Sequence, residues 1–242
     1  MTSPENRVRQ VPRSTDVLGT LLAAEPVTVV ETREDPADPF LFPEESEAVA
    51  RAVDKRRREF ATVRQCARTA LAGLGVEPVP ILPGPKGAPR WPDGIVGSMT
   101  HCTGYRAAVV ARDSAVSSVG IDAEPAAPLA DADVLKLVTD ETERTALAEL
   151  GVRHPDVPWD RLVFSAKESV YKTWFPLTGR WLGFEDARVD LAPDGTFTAD
   201  LLVPGPTVGG RELTGFGGSW LIRDGIAVTA IVLPLTPPAP GR

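Results

Sequence analysis

Side chains able to do chemistry concentrate in four short clusters. In VGIDAEP (residues 119–125), Asp122 and Glu124 stand two apart at what reads as a strand end, so strand alternation projects both carboxylates from one side. Two such groups repel unless a cation lies between them, and ligation by oxygen alone suits Mg2+. A D-x-E pair taken alone leaves that reading open. In FSAKESVYKTWF (residues 164–175), a helical wheel groups Glu168 with Phe164, Tyr171 and Phe175 on an inward aromatic face, with Lys172 four residues on. A partly desolvated carboxylate beside a lysine is a candidate metal ligand or general base. A surface Glu–Lys pair is the alternative.

The third cluster is basic: Arg51, Lys55, Arg56, Arg57, Arg58, Arg64 and Arg68. Arg57 and Arg58 read as a solvated face. At 100° per residue, Arg56 falls about 20° from the axis through Val49 and Ala67, inside an apolar stripe, and Arg64 lies about 60° away at its edge. A buried guanidinium needs an anion, so the pair predicts either a phosphate site, which planar forks bind bidentately, or structural ion pairing. The fourth cluster, GSMTHCTGYR (residues 97–106), reads as a loop. Ser98, Thr100 and Thr103 offer hydroxyls, Gly97 and Gly104 allow tight backbone, and His101 is one of only two histidines. Such a loop either cradles an anion or is a turn with a satisfied histidine. Cys102 beside His101 raises a Cys–His nucleophile, although adjacent residues seldom bring both side chains together.

These clusters need elements to hold them. One long amphipathic helix is expected over residues 43–74, started by Pro43 with Glu44 and Glu45 and stopped by Gly73 and Gly75. Val49, Val53, Phe60, Val63, Ala67, Ala70 and Leu74 form its stripe. A Pro/Gly-rich connector, EPVPILPGPKGAPRWPDG, follows. Apolar runs at residues 105–111 and 116–121 flank ARDSA and read as a β-hairpin. Residues 131–150 read as one helix and residues 159–175 as another, ended by Pro176. The remainder is strand-like, with turns at Pro193-Asp194-Gly195 and Asp224-Gly225. The first forty and last ten residues read as surface wrapping and tails, with a short strand at residues 27–30. Helix followed by hairpins occurs once in each half, which gives an α+β class and suggests duplication without a residue-level repeat.

Composition removes whole classes of function. With 242 residues, 43% of them hydrophobic and 24% charged, the chain is neither collagenous, coiled-coil nor wholly disordered. It has no 18-residue apolar run and no apolar N-terminal segment, so neither a membrane span nor a secretory signal is expected. Two cysteines make no disulfide framework, which points to the reducing cytosol. A net charge of −7 argues against general nucleic-acid binding, so the arginines need a local explanation.

Taken in this order, the clusters resemble the Sfp/EntD-type 4′-phosphopantetheinyl transferases. The signature of that family is a G-[IV]-D-x-E strand end followed by an [FW]-[SC]-x-K-E-[SA]-x-x-K helix. GIDAE at 120–124 and FSAKESVYK at 164–172 match both parts. KRRREFATVRQCARTAL, WPDGIVGSMTHCTGYRAAVV and WFPLTGRWLGFEDARV are similar to its actinobacterial members, and the resemblance covers roughly residues 40–235. It implies two similar α+β halves, residues 1–115 and 116–242, related by a pseudo-two-fold axis with coenzyme A in the cleft between them. Asp122, Glu124 and Glu168 would then hold Mg2+, with Mn2+ as a substitute, on the pyrophosphate. Lys172 and Lys167 would meet phosphate oxygens. Arg56, Arg64, Thr100, His101 and Ala123 would face the coenzyme, His101 on the 3′-phosphate side. Lys86, Gly87, Ala88 and Pro89 would map to adenine or ribose contacts, with Pro83 standing where relatives carry a lysine.

The reaction implied moves 4′-phosphopantetheine from coenzyme A to a serine of an apo acyl or peptidyl carrier protein and releases 3′,5′-ADP. Glu168 would be the base, beside Lys172 and Asp122, in a cytoplasmic monomer that needs no nucleic acid or membrane. Val134, Leu135, Leu137 and Val138 offer either a carrier-docking face or an ordinary core-facing helix. Other classes remain at this level: a nucleic-acid module built on the arginines, a cysteine-dependent hydrolase using Cys102 with His101 or His154, and a non-catalytic coenzyme A-binding protein.

Overall fold

The computed structural model describes residues 16–235. The tails expected at residues 1–15 and 236–242 lie outside the described residues. A short helix, α1 (Leu18–Leu21), leads into β1 (Thr28–Thr32), close to the expected strand. The Glu31 carboxylate on β1 accepts from the N–H groups of Val17, Leu18 and Gly19 at 3.0, 3.2 and 2.8 Å, tying the two elements together.

Residues 43–74 form two helices rather than one: α2 (Pro43–Ala48) and α3 (Asp54–Gly73). The start at Pro43 and the stop at Gly73 are as expected. The break lies where the stripe itself fails: Val49 is buried, but Val53 is exposed and extended. Burial resumes with Phe60, Val63, Ala67 and Ala70. A polar contact joins the two helices. Glu45, fully buried, accepts from Arg68 Nη1 at 2.9 Å with both oxygens and from the Ile81 N–H at 2.8 Å.

Three strands follow, β2 (Ile95–Cys102), β3 (Tyr105–Arg112) and β4 (Val116–Pro125). The expected β3–β4 hairpin does not form. Because β3 is buried at seven consecutive positions, it is the central strand of an antiparallel sheet ordered β1-β3-β2. Residues 97–106, expected as a loop, are most of β2 and the tight turn into β3, where Gly104 takes φ 74°. Strand β4 joins a different sheet. The segment after it, expected as one helix, is divided into α4 (Ala132–Val138) and α5 (Glu141–Arg153) by Asp140, which caps α5 in a reciprocal 2.8 Å exchange with Glu143. Helix α6 (Trp159–Thr178) runs past Pro176 and closes on left-handed Gly179, so the proline does not end it. The last strands are β5 (Ala187–Leu191), β6 (Thr196–Leu201), β7 (Thr207–Val208), β8 (Arg211–Glu212), β9 (Gly215–Arg223) and β10 (Ile226–Pro234). They complete an antiparallel five-stranded sheet, β4-β10-β9-β6-β5, with β7 and β8 paired apart from it. Asp224 and Gly225 both have positive φ (49° and 76°), giving the expected two-residue hairpin between β9 and β10. The chain is thus α+β.

Helix α3 packs on the smaller sheet and α6 on the larger, where Trp159, Trp174 and Phe197 fill the core. The sheets meet along β2 and β4 through side-chain hydroxyls. The Ile121 N–H donates to Ser98 Oγ at 3.1 Å, and the Ala123 N–H to Thr100 Oγ1 at 3.0 Å. Helix α6 presents Ser165, Ser169 and Thr173, four residues apart and fully buried, to β4 and its neighbour. The approach is so close that a Cβ on Gly120 would overlap the Ser169 carbonyl oxygen and the Thr173 hydroxyl. Gly120→Ala should therefore lower unfolding free energy by about 1–3 kcal/mol, the usual cost of overpacking, read from the urea midpoint. An unchanged midpoint would mean that α6 stands off β4.

Candidate active site

Asp122 is the most constrained of the expected site residues. It lies on β4, 5% exposed, and donors from two other elements converge on it. Ser165 Oγ on α6 donates to Oδ2 at 2.8 Å, Lys172 Nζ two turns further along α6 donates to Oδ1 at 2.7 Å, and Thr100 Oγ1 on β2 lies 3.3 Å from Oδ1. The Thr100 hydroxyl accepts from the Ala123 N–H while donating to Asp122, so one side chain ties the sheet seam to the carboxylate. Ala123 itself is buried, with its amide committed to that bond. Lys172, expected to reach Glu168, is instead paired with Asp122.

Glu124 and Glu168 flank this hub. Glu124 pairs with Arg161, which donates to Oε2 at 2.9 Å. Glu168 makes no hydrogen bond or ion pair among the described residues. Burial, reinforced by the charge of Asp122, pushes Glu124 above the usual carboxylate range, with Arg161 opposing. Burial also raises Glu168; Lys172 opposes this and Asp122 adds to it. Negative charge is thus concentrated around Asp122. Even so, among the described residues no three His, Cys, Asp or Glu side chains stand together at metal-ligating spacing.

The aromatic side of α6 is not its core face. Phe164, Tyr171 and Phe175 are only partly buried, whereas Leu162, Val163, Ala166 and Val170 pack inward. Of the three, Tyr171 walls a cavity of about 160 Å3, lined also by Glu168, Trp181, Leu182 and Phe184. The Tyr171 hydroxyl is buried with no hydrogen-bond partner among the described residues. Lys86 reaches this wall from the connector, its Nζ 5.7 Å from the centre of the Trp181 ring. It stands at the tip of a narrow loop closed by a Pro83–Pro89 bridge, where Lys86 and Gly87 both take positive φ (55° and 81°) and Ala88 and Pro89 form the return.

Arg56 is not inside the stripe. It keeps the wheel phase of Ala67 on the same helix, but it stands on the first turns of α3, before the buried run that begins at Glu59, and its side chain is 51% exposed. It nevertheless meets the residue with which it was expected to act: Nη1 donates to His101 Nε2. Burial lowers the His101 pKa, and Arg56 lowers it further. Arg64 and Lys167 have structural partners. Arg64 Nε donates to the Ile81 carbonyl at 2.7 Å and Nη1 to Phe60 at 3.3 Å, beside Glu45; burial pushes its pKa down to about 10. Lys167, 3% exposed, is held by Glu143 at 2.9 Å and the Phe184 carbonyl. Cys102 has its pKa pushed up to about 12 by burial and by the charges of Glu124 and Asp122, which removes the thiolate a hydrolase would need. Of the four apolar residues on α4, Val138 is buried, Leu135 packs against the core, Val134 is half-buried, and Leu137 is exposed.

Three participants escaped the sequence reading. Ser165 was visible only as part of a Ser165, Ser169, Thr173 spacing. Arg161 and Glu59 are joined to Glu124 and His101 by the fold alone.

Comparison with known proteins places the chain in a family. Residues 44–111 match the 4′-phosphopantetheinyl transferase N-terminal domain, and residues 118–213 match the 4′-phosphopantetheinyl transferase superfamily. The chain is 57% identical to the 4′-phosphopantetheinyl transferase Svp of Streptomyces mobaraensis, over 90% of this chain and 89% of that protein. It is 48% identical to the 4′-phosphopantetheinyl transferase PptT of Mycobacterium tuberculosis, over 89% and 99%. Similarity to enterobactin synthase component D of Salmonella typhi is 36% over 56% of the chain and 55% of that protein. The chain therefore belongs to the 4′-phosphopantetheinyl transferases, enzymes that move phosphopantetheine from coenzyme A to carrier proteins.

Proposed function

We propose that the transfer is to a serine hydroxyl of an apo acyl or peptidyl carrier protein, with release of 3′,5′-ADP, and that it occurs at the Asp122–Lys172–Glu168 corner. The observation that carries this reading is the convergence on Asp122 of Lys172, Ser165 and Thr100, with Glu168 unpaired beside it. The two halves, residues 1–115 and 116–242, would be pseudo-symmetry mates with the coenzyme between them. The protein would act as a monomer in the cytoplasm, a compartment consistent with its two free cysteines.

In the reaction, the serine oxygen forms a bond to the phosphorus that bears the pantetheine, and the anhydride P–O bond to 3′,5′-ADP breaks. Glu168 takes the serine proton, directly or through a water. Its raised pKa favours that role, because a base works best when its basicity approaches the working pH. Lys172 can turn an N–H toward phosphate oxygens while keeping its bond to Asp122, and Arg56 with His101 meets the 3′-phosphate. Asp122, Glu124 and Glu168 offer only oxygen donors, the type a hard divalent cation takes, and burial with the charge of Asp122 raises the pKa of Glu124 and Glu168; the three carboxylates would have to draw together to hold one. When bound there, Mg2+ or Mn2+ would neutralise charge on the pyrophosphate. The aromatic cavity beside Glu168 suits the pantetheine arm, whose amides can meet the Tyr171 hydroxyl. Leu137 and Val134 remain the proposed apolar contact for the carrier.

Intact mass of an apo-carrier incubated with coenzyme A and Mg2+ tests the reaction. One added phosphopantetheine is expected, and an unmodified carrier would contradict the reading. Glu168→Gln should still bind coenzyme A while single-turnover transfer falls by about 10²–10⁴, the range for loss of a general base. Glu124→Gln should instead weaken Mg2+-dependent binding, with partial rescue by excess metal. If both variants turn over normally, the carboxylate roles are wrong.

The cavity has its own test. Trp181→Ala should raise the KM for coenzyme A about tenfold while leaving 3′,5′-ADP inhibition nearly unchanged, because only the former carries the arm. Equal losses for both ligands would move the arm elsewhere.

A further inference from the structure

Glu59 stands behind the Arg56–His101 contact and has no role in the reaction as described. It is 8% exposed, on α3 one turn beyond Arg56. Three groups converge on its carboxylate. Arg56 Nη1 and His101 Nδ1 lie 3.9 and 3.8 Å from Oε2, and Arg106 Nη2 lies 3.7 Å from Oε1. Arg106 is itself fixed from β3, through Asp35 at 3.1 Å and the carbonyls of Cys102 and Tyr105.

The imidazole is therefore addressed on both nitrogens. Nδ1 faces the Glu59 carboxylate, while Nε2 accepts from Arg56. In that arrangement the ring proton belongs on Nδ1, and Nε2 presents a lone pair. A lone pair repels a phosphate oxygen. For a phosphate to replace Arg56 at Nε2, that nitrogen must gain a proton. The groups facing the ring are Arg56 and Glu59 from α3, Arg106 from β3 and Lys172 from α6; Glu59 alone among them favours the imidazolium. Burial and the three cations outweigh Glu59 and favour the neutral ring while no phosphate is bound, and a phosphate dianion would oppose them.

We propose that Glu59 is a positioning residue that orients His101 through Nδ1, so that binding a phosphomonoester at this corner takes up one proton at Nε2. The proposal rests on the reading above, in which Arg56 and His101 meet the 3′-phosphate of coenzyme A. Its consequence is an affinity that depends on pH. In the range where the imidazole is neutral when free and charged when bound, each pH unit upward weakens binding by up to about tenfold.

Calorimetry on the full chain at pH 7.5, in two buffers of different ionisation enthalpy, counts the protons. Coenzyme A should bind with uptake approaching one proton, dephospho-coenzyme A with almost none, and His101→Gln should abolish the uptake. Glu59→Gln, close in size but uncharged, should keep binding yet move the fall in affinity about one pH unit lower, a change that a merely structural role would not produce. Proton-free binding of coenzyme A to the wild-type chain overturns the proposal, as does a Glu59→Gln profile that matches wild type. Should Glu59→Gln fail to fold, the proton count in wild type against His101→Gln decides alone. Unchanged coenzyme A affinity in both Arg56→Ala and His101→Gln would instead overturn the placement of the 3′-phosphate, a failure distinguishable from loss of the proton count.

Discussion

A single buried carboxylate organises this molecule. Asp122 sits where β4, β2 and α6 meet, and its oxygens are satisfied by one donor from β2 and two from α6. Burying a carboxylate is costly unless it is paired and hydrogen-bonded, so each of those donors has to be held in place. The bare Cα of Gly120 lets α6 approach, the Ser165–Ser169–Thr173 face lets it stay, and Thr100 locks β2 to β4 through the Ala123 amide. The same approach carries Glu168 and Lys172 to the edge of the hub. Fold and site therefore share one set of contacts, and loosening α6 would disturb both.

Buried ion pairs elsewhere explain why residue type alone could not assign roles. Arg68 with Glu45 fixes α2 to α3, and Lys167 with Glu143 fixes α6 to α5, each with the carboxylate also accepting from a backbone N–H. These cations are satisfied and inaccessible. Lys172 and Arg56 differ because they are partly open to solvent and can turn toward a ligand. Two lysines five residues apart on one helix thus differ in kind, Lys167 as scaffold and Lys172 at the candidate site.

What the sequence disclosed follows from periodicity. The D-x-E strand end, the helix with Glu168 and Lys172, and the Asp224-Gly225 hairpin are local patterns, and local patterns survived folding. The failures were of two kinds. Runs joined by short polar segments were extended too far, as at Val53 and Asp140, where a break in burial or a capping side chain divides a helix. Partners distant in sequence were unreadable: β4 looks like the mate of β3 but belongs with β10, and Glu59 meets His101 only because α3 crosses β2. The aromatic face of α6 reads as inward because large apolar residues usually are; here the buried face carries Leu162, Val163, Val170 and Trp174 beside the small hydroxyl residues, and Tyr171 walls a cavity.

The charge of Asp122, and not only its shape, holds the site together. Single-turnover transfer by Asp122→Asn tests it most directly, because the amide keeps the size and one oxygen acceptor but leaves Lys172 without its counter-charge. With circular dichroism showing a folded chain, the rate of phosphopantetheine transfer should fall by about 10² or more. A folded Asp122→Asn variant that transfers at close to the wild-type rate would mean that shape and hydrogen bonding alone hold the site.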